Sequence, residues 1–239
     1  MHTLGRKITF GSLIRFALPT VFMLVFSSLY TIIDGIFISN FVGEDGLSGL
    51  NIVFPVINII MGIATMFATG GSAIVAKKMG EGKKDEANQN FTFLFIVLMA
   101  VGTLVTIGVL VFIDPLLSFL GAIETLYTYS YDYLFTTVMF TLVTMAKLYF
   151  DFFLVTSGKA NLALINSVIG GVTNVILDYV FMGPLNMGMA GAVIGLAACS
   201  AAVSLYYLHS RKQTDFYESL PIKRATLFRL VVQNSLFIF

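Results

Sequence analysis

The chain has 239 residues, of which 57% are hydrophobic and 11% charged, with a mean hydropathy of +0.90; a soluble globular domain is excluded. Its 14 Lys and Arg against 13 Asp and Glu leave a net charge of +1, which is neither the basic excess of a nucleic-acid binder nor an acidic disordered tail. A single cysteine, Cys199, rules out an intrachain disulfide framework, and the two histidines, His2 and His209, sit at an extreme terminus and a helix end. Zinc chemistry within a membrane therefore lacks its ligands.

Stretches of roughly 20 apolar residues, enough to cross about 30 Å of hydrocarbon, follow one another along the chain. They fall at 14–39, 48–76, 91–113, 127–156, 160–183 and 187–209, and they predict an all-α polytopic membrane protein. The first is too long for a signal-peptide core and is read as a retained helix. Within it Pro19 removes a backbone donor and is a candidate hinge. Asp34 lies toward the outer end of the same span, with the apolar Ile36-Phe37-Ile38 still following it, where an ionisable group costs about 2.5–3.5 kcal/mol and is read as functional.

In the second span Asn51 and Asn58 are seven apart and share a face that is either an interface or a cavity wall, and Pro55 lies between them. A polar loop, Lys77 to Asn90, leads to the third span. The fourth carries Tyr127, Tyr129, Tyr131 and Tyr133, expected as an aromatic belt at the outer surface, then Lys147 and Asp151, four apart, which suit an ion pair or a cavity wall. On the fifth, Asn174 and Asp178 are also four apart and project from one face at a depth that matches Asp34. The sixth ends in Tyr206 and Tyr207. Beyond it, Leu227-Phe228-Arg229-Leu230-Val231-Val232 echoes Leu13-Ile14-Arg15-Phe16-Ala17-Leu18, which suggests a second six-helix repeat. The expected organisation is a six-helix lobe at 1–210, a cytoplasmic linker at 211–224 and the start of helix seven at 225–239.

Basic residues resist translocation, and Arg6, Lys7, Arg15, Lys77, Lys78, Lys83, Lys84, Lys159, Arg211, Lys212, Lys223 and Arg224 all fall on one side of this scheme. The opposite connectors hold Glu44, Asp45, Asp114 and Glu124. A cytoplasmic N-terminus in a cytoplasmic (inner) membrane follows.

No phosphate-binding G-x-x-x-x-G-K-[ST] loop, G-x-S-x-G elbow or H-E-x-x-H motif is present. The reading is a secondary transporter rather than an enzyme, with no cofactor, coupled to an ion gradient through intramembrane carboxylates. Asp34, Asn174 and Asp178 together could take up and release a proton or coordinate a sodium ion. The 23 Phe and 11 Met could furnish an adaptable apolar pocket.

The runs Thr31-Ile32-Ile33-Asp34-Gly35-Ile36-Phe37-Ile38-Ser39, Asn51-Ile52-Val53-Phe54-Pro55, Thr69-Gly70-Gly71-Ser72-Ala73, Lys77-Lys78-Met79-Gly80-Glu81-Gly82-Lys83, Thr156-Ser157-Gly158-Lys159-Ala160-Asn161 and Asn174-Val175-Ile176-Leu177-Asp178 resemble the multidrug and toxic compound extrusion (MATE) family, nearest its MepA-like branch. The resemblance covers essentially the whole chain. It implies one six-helix lobe, followed by the start of helix seven, of a twelve-helix, two-lobe antiporter that extrudes cationic or amphipathic drugs in exchange for protons or sodium. It also maps the first-lobe cation or proton site to Asp34, Asn174 and Asp178, and matches Pro19 to a proline linked to helix-one bending in some members. The expected partners are small-molecule drugs or organic cations, the lipid bilayer and a second lobe of the same protein, with no nucleic acid. One departure is that Gly191-Ala192-Val193-Ile194-Gly195 is followed by Leu196, where relatives often place a Thr. This weakens a full sodium shell and favours protonation. The alternatives are a flippase for lipid-linked sugars of related fold, which would call for more basic residues than Lys147, and a non-transporting membrane fragment.

Overall fold

The computed structural model describes residues 10–158 and 160–209. Among these the chain is helical throughout, with no strand. Hydrocarbon offers no partner to backbone N–H and C=O groups, so a spanning segment must satisfy them within itself, and the helix does so. The expected linker at 211–224, the helix-seven start at 225–239 and the basic residues Arg6, Lys7, Lys159, Arg211, Lys212, Lys223 and Arg224 lie outside the described residues.

Helix α1 (Phe10–Phe37) runs through Pro19 without a break and continues into a π-helical turn, Ile38–Val42. Gly43, at φ 102°, ends that turn, its N–H donating to the Ile38 carbonyl at 3.1 Å; a side chain there would be strained. Helix α2 (Glu44–Gly80) has Glu44 and Asp45 in its first turn and Lys77 and Lys78 in its last, each sign matched to the helix dipole. Its 37 residues extend about 55 Å at 1.5 Å per residue, well beyond the hydrocarbon. A turn through Gly82, at φ 78°, leads to α3 (Lys84–Val111), and the Lys78 ammonium holds Glu86 at 2.6 Å across it. The Gly80-Glu81-Gly82-Lys83 segment is thus an exposed turn.

Two features depart from the hydropathy reading. The outer connection after α3 contains a short helix, α4 (Ile113–Phe119), tied to the next helix by a hydrogen bond from the Tyr127 hydroxyl to Asp114. The expected single span at 127–156 is two helices, α5 (Glu124–Met139) and α6 (Thr141–Thr156), bent by 56° at Phe140. Threonines flank the bend: Thr136, Thr141 and Thr144 donate their hydroxyls to the carbonyls of Asp132, Thr137 and Phe140 four residues back. Such back-bonding competes with the helix ladder and bends it. Helices α7 (Ala160–Met182) and α8 (Gly188–His209) complete the described chain.

Four helical segments are long and apolar enough to cross a membrane, and the bent α5–α6 pair makes a fifth. Helix α8 has a shorter apolar stretch, Gly188–Ala198, but its 22 residues reach about 33 Å. The chain is a multi-pass membrane protein.

Helix α1 packs along α7, and α2 along α3, α5 and α6, while α8 sits against α5, α6 and α7. The centre is aromatic. Phe91 meets Phe153 edge-on at 4.8 Å, Phe95 stacks on Phe150 at 5.4 Å, and Tyr149 donates its buried hydroxyl to the Phe91 carbonyl at 2.8 Å. Every residue of α6 is buried or half-buried, so this helix forms the lobe's interior wall. Gly102 allows Leu142 and Met145 of α6 to approach α3 to distances that a Cβ would occupy.

Candidate functional site

The α1–α7 contact has a register that can be followed residue by residue. Tyr30 rests on Gly171, where an added Cβ would come within 3.1 Å of its ring, and further along Phe37 and Phe41 meet Tyr179 at 6.4 and 5.9 Å. The two helices therefore run parallel. One turn beyond Tyr30 this register brings Asp34 beside the stretch of α7 that carries Asn174 and Asp178. Asn174 and Asp178 are buried, at 3% and 0% exposure, and the Asn174 side-chain N–H donates to Asp178 Oδ1 at 3.2 Å.

Helix α8 closes the site from the other side. Gly191 lies against Phe181 and Met182 of α7, and Gly195 lies against Asp178, so α7 and α8 are antiparallel and in close contact there. A Cβ at Gly195 would overlap Asp178 Oδ1. The absence of a side chain at 195 thus gives the carboxylate its seat. The spacing Gly191-x-x-x-Gly195 is a sequence signal of close helix approach in membranes, and it could have revealed this role.

Tyr133 of α5 is the other member that the sequence reading does not place here. The run of tyrosines predicts an outer aromatic belt, but Tyr133 is 8% exposed and lies within Coulombic range of both Asp34 and Asp178. Helical geometry is the reason. Tyr133 shares the inward face of α5 with buried Ser130 and Leu134, while Tyr127 and Tyr131 stack on one another at 6.1 Å on another face. Ser130 itself donates to the Gly49 carbonyl at 3.2 Å, fixing α5 on α2.

Asp34 and Asp178 are close enough to interact electrostatically. Asp34 Oδ1 and Asp178 Oδ2 are both buried without a hydrogen-bond donor among the described residues. Buried carboxylate oxygens carry a large desolvation cost unless something positive reaches them, and a proton or a small hard cation meets that need. Two carboxylates, a carboxamide and a phenol are oxygen donors suited to sodium rather than to a transition metal. Among the described residues no three His, Cys, Asp or Glu side chains are grouped to hold a metal. Leu196 contributes no oxygen from its side chain.

The other expected residues fall elsewhere. Lys147 and Asp151 form an ion pair on α6 at 2.9 Å, with side chains 18% and 6% exposed. Pro19 is half-buried within the continuous α1. Asn51 and Asn58 lie on an exposed face of α2.

The MatE family model matches residues 19–180, more than half of the chain, and takes in most of α1 and α7 and all three polar residues of the site. The chain belongs to the MATE family. Among its relatives are the multidrug export proteins MepA of Staphylococcus aureus strain MSSA476, 25% identical over 220 residues that make up 90% of this chain and 48% of that protein, and of Staphylococcus haemolyticus, 23% identical over 229 residues, with shares of 94% and 50%. The chain spans about half the length of these relatives. A solved MOP-superfamily transporter from Pyrococcus furiosus superposes with a TM-score of 0.79 at 24% identity, over 94% of this chain and 52% of that one. An outward-facing MATE multidrug resistance transporter gives the same figures. The MATE fold is therefore shown by sequence and by shape, and the described residues correspond to half of such a transporter.

Proposed function

We propose that this MATE chain is the N-terminal six-helix lobe, 1–210, of a cation-coupled antiporter that extrudes cationic or amphipathic drugs, with 211–224 as linker and 225–239 opening the second lobe. The observation that carries the coupling is the pair of buried carboxylates, Asp34 and Asp178, each with an oxygen lacking a donor among the described residues. In this reading a proton or sodium ion enters between α1 and α7 and binds the two carboxylates. The drug occupies the same lobe, or the space between the lobes, in the alternate state. Coupling then arises because ion and drug stabilise different conformations of one protein. Asn174 orients Asp178, Tyr133 supplies a further hydroxyl, and Pro19 is the hinge on α1.

Full-length protein reconstituted in liposomes is expected to accumulate ethidium when either a proton or a sodium gradient is imposed. Absence of accumulation under both gradients would remove the antiporter reading. The orientation rests on the basic side of the lobe. A cysteine at Glu44 is expected to react with an impermeant maleimide added to intact cells, and one at Lys83 only after the membrane is opened. Labelling of position 83 from outside would reverse the topology.

A further inference from the structure

The outward faces of α3 and α7 are those of lipid-exposed helices. Phe93, Ile96 and Leu104 on α3, and Ile165, Ile169 and Ile176 on α7, are all exposed and apolar. Helix α2 differs. Asn51, Asn58, Gly62 and Thr69 are exposed on one stripe, at the three- and four-residue spacing of a single helical face. Thr69 satisfies its hydroxyl within the helix, on the Thr65 carbonyl at 2.7 Å, and Asn40 near the end of the preceding segment bonds the Ile36 carbonyl at 2.8 Å. The Asn51 and Asn58 carboxamides have no such bond to another described residue.

Asn58 lies about 6 Å from the midpoint of α2, within the hydrocarbon depth. A primary amide facing lipid there would leave two donors and an acceptor unpaired, which hydrocarbon penalises heavily. Pro55, exposed on the same side of the helix, adds to the polarity. It has no N–H to give the carbonyl four residues back, which belongs to Asn51. Two carboxamides and a released carbonyl thus stand along one exposed stripe, beside the apolar Phe54 and Ile59.

We infer that Asn58, aided by Asn51, is a specificity-determining residue of the drug path, recognising hydrogen-bonding groups of an amphipathic substrate while Phe54 and Ile59 take its apolar part. A carboxamide suits a transporter of varied drugs because it both donates and accepts and carries no charge. The inference rests on the transport reading above and concerns selectivity, not coupling.

The test compares two probes on the full-length protein: ethidium, whose aryl amines can hydrogen-bond, and tetraphenylphosphonium, a lipophilic cation with no hydrogen-bonding group. In Asn58→Leu the affinity for ethidium relative to tetraphenylphosphonium is expected to fall about tenfold, the scale of one lost hydrogen bond. The Asn58→Cys variant, in a Cys199→Ala background, is expected to react with a hydrophilic methanethiosulfonate and to be protected by ethidium. Equal losses for both probes with a lower thermal midpoint would mean helix packing. An unreactive thiol at position 58 together with an unchanged ratio would mean a lipid-facing side chain. Either overturns the inference. The protection measurement needs no gradient, so a wild-type protein that fails to transport would sink the antiporter reading while still deciding this one.

Discussion

Asp34→Asn and Asp178→Asn are each expected to abolish gradient-driven efflux by the full-length protein while leaving its amount in the membrane unchanged. The amide keeps nearly the volume of the carboxyl and some of its hydrogen bonding, but it neither releases a proton nor carries negative charge. In the structure the substitution removes the demand of Asp34 Oδ1 or Asp178 Oδ2 for a cation without opening a cavity. The ion's preference for one conformation then disappears, and with it the coupling. Asn174→Ala separates the two candidate ions. It costs less than the Asp changes if the residue only orients Asp178 through the 3.2 Å hydrogen bond, and nearly as much if its carbonyl is a sodium ligand. Initial rates of ethidium efflux at matched protein levels measure all three variants. A rate within twofold of wild type for either Asp variant would contradict the assignment, the threshold being about 0.4 kcal/mol in barrier.

Gly195→Val is expected to lower coupled efflux at least tenfold, with a smaller effect on folding. Two methyl groups beyond a Cβ cannot fit where even that Cβ overlaps Asp178 Oδ1. The carboxylate must rotate away from α8 or the α7–α8 contact must open, and either change displaces the group that binds the ion. Small-to-large changes at tight contacts cost about 1–3 kcal/mol in stability, so the protein is expected to fold with a lowered thermal midpoint. Gly195→Ala falls between Val and wild type. Full efflux activity with Val at 195 would mean that Asp178 works from another position than the one seen here.

Hydropathy and charge are sufficient to find the order of the spans, because the membrane imposes length and internal backbone pairing on every crossing. They also single out Asp34, Asn174 and Asp178, since a polar or ionisable residue at that depth is costly wherever it occurs. Features set by contacts between helices are harder to read. The bend at Phe140 is flanked by threonines whose hydroxyls bond backbone carbonyls, and neither the bend nor these bonds change the average hydropathy of 127–156. Tyr133 lies among tyrosines at every second position, a pattern that suggests a surface belt, whereas a helix turns Tyr133 and Tyr131 to different sides. Gly195 carries no chemistry of its own. Its part in the site emerges only once α7 and α8 are laid antiparallel and the space around Asp178 is known.

The proposed coupling of ion and drug through Asp34 and Asp178 can be tested in reverse, driving the ion with the drug. Full-length protein in liposomes is given a tetraphenylphosphonium gradient with no ion gradient, and proton movement is followed with a trapped pH dye and sodium movement with a radiotracer. Countermovement of one of the two ions is expected with wild-type protein, and none with the Asp34→Asn, Asp178→Asn double variant. Ion countermovement of wild-type size in the double variant would contradict the proposed coupling.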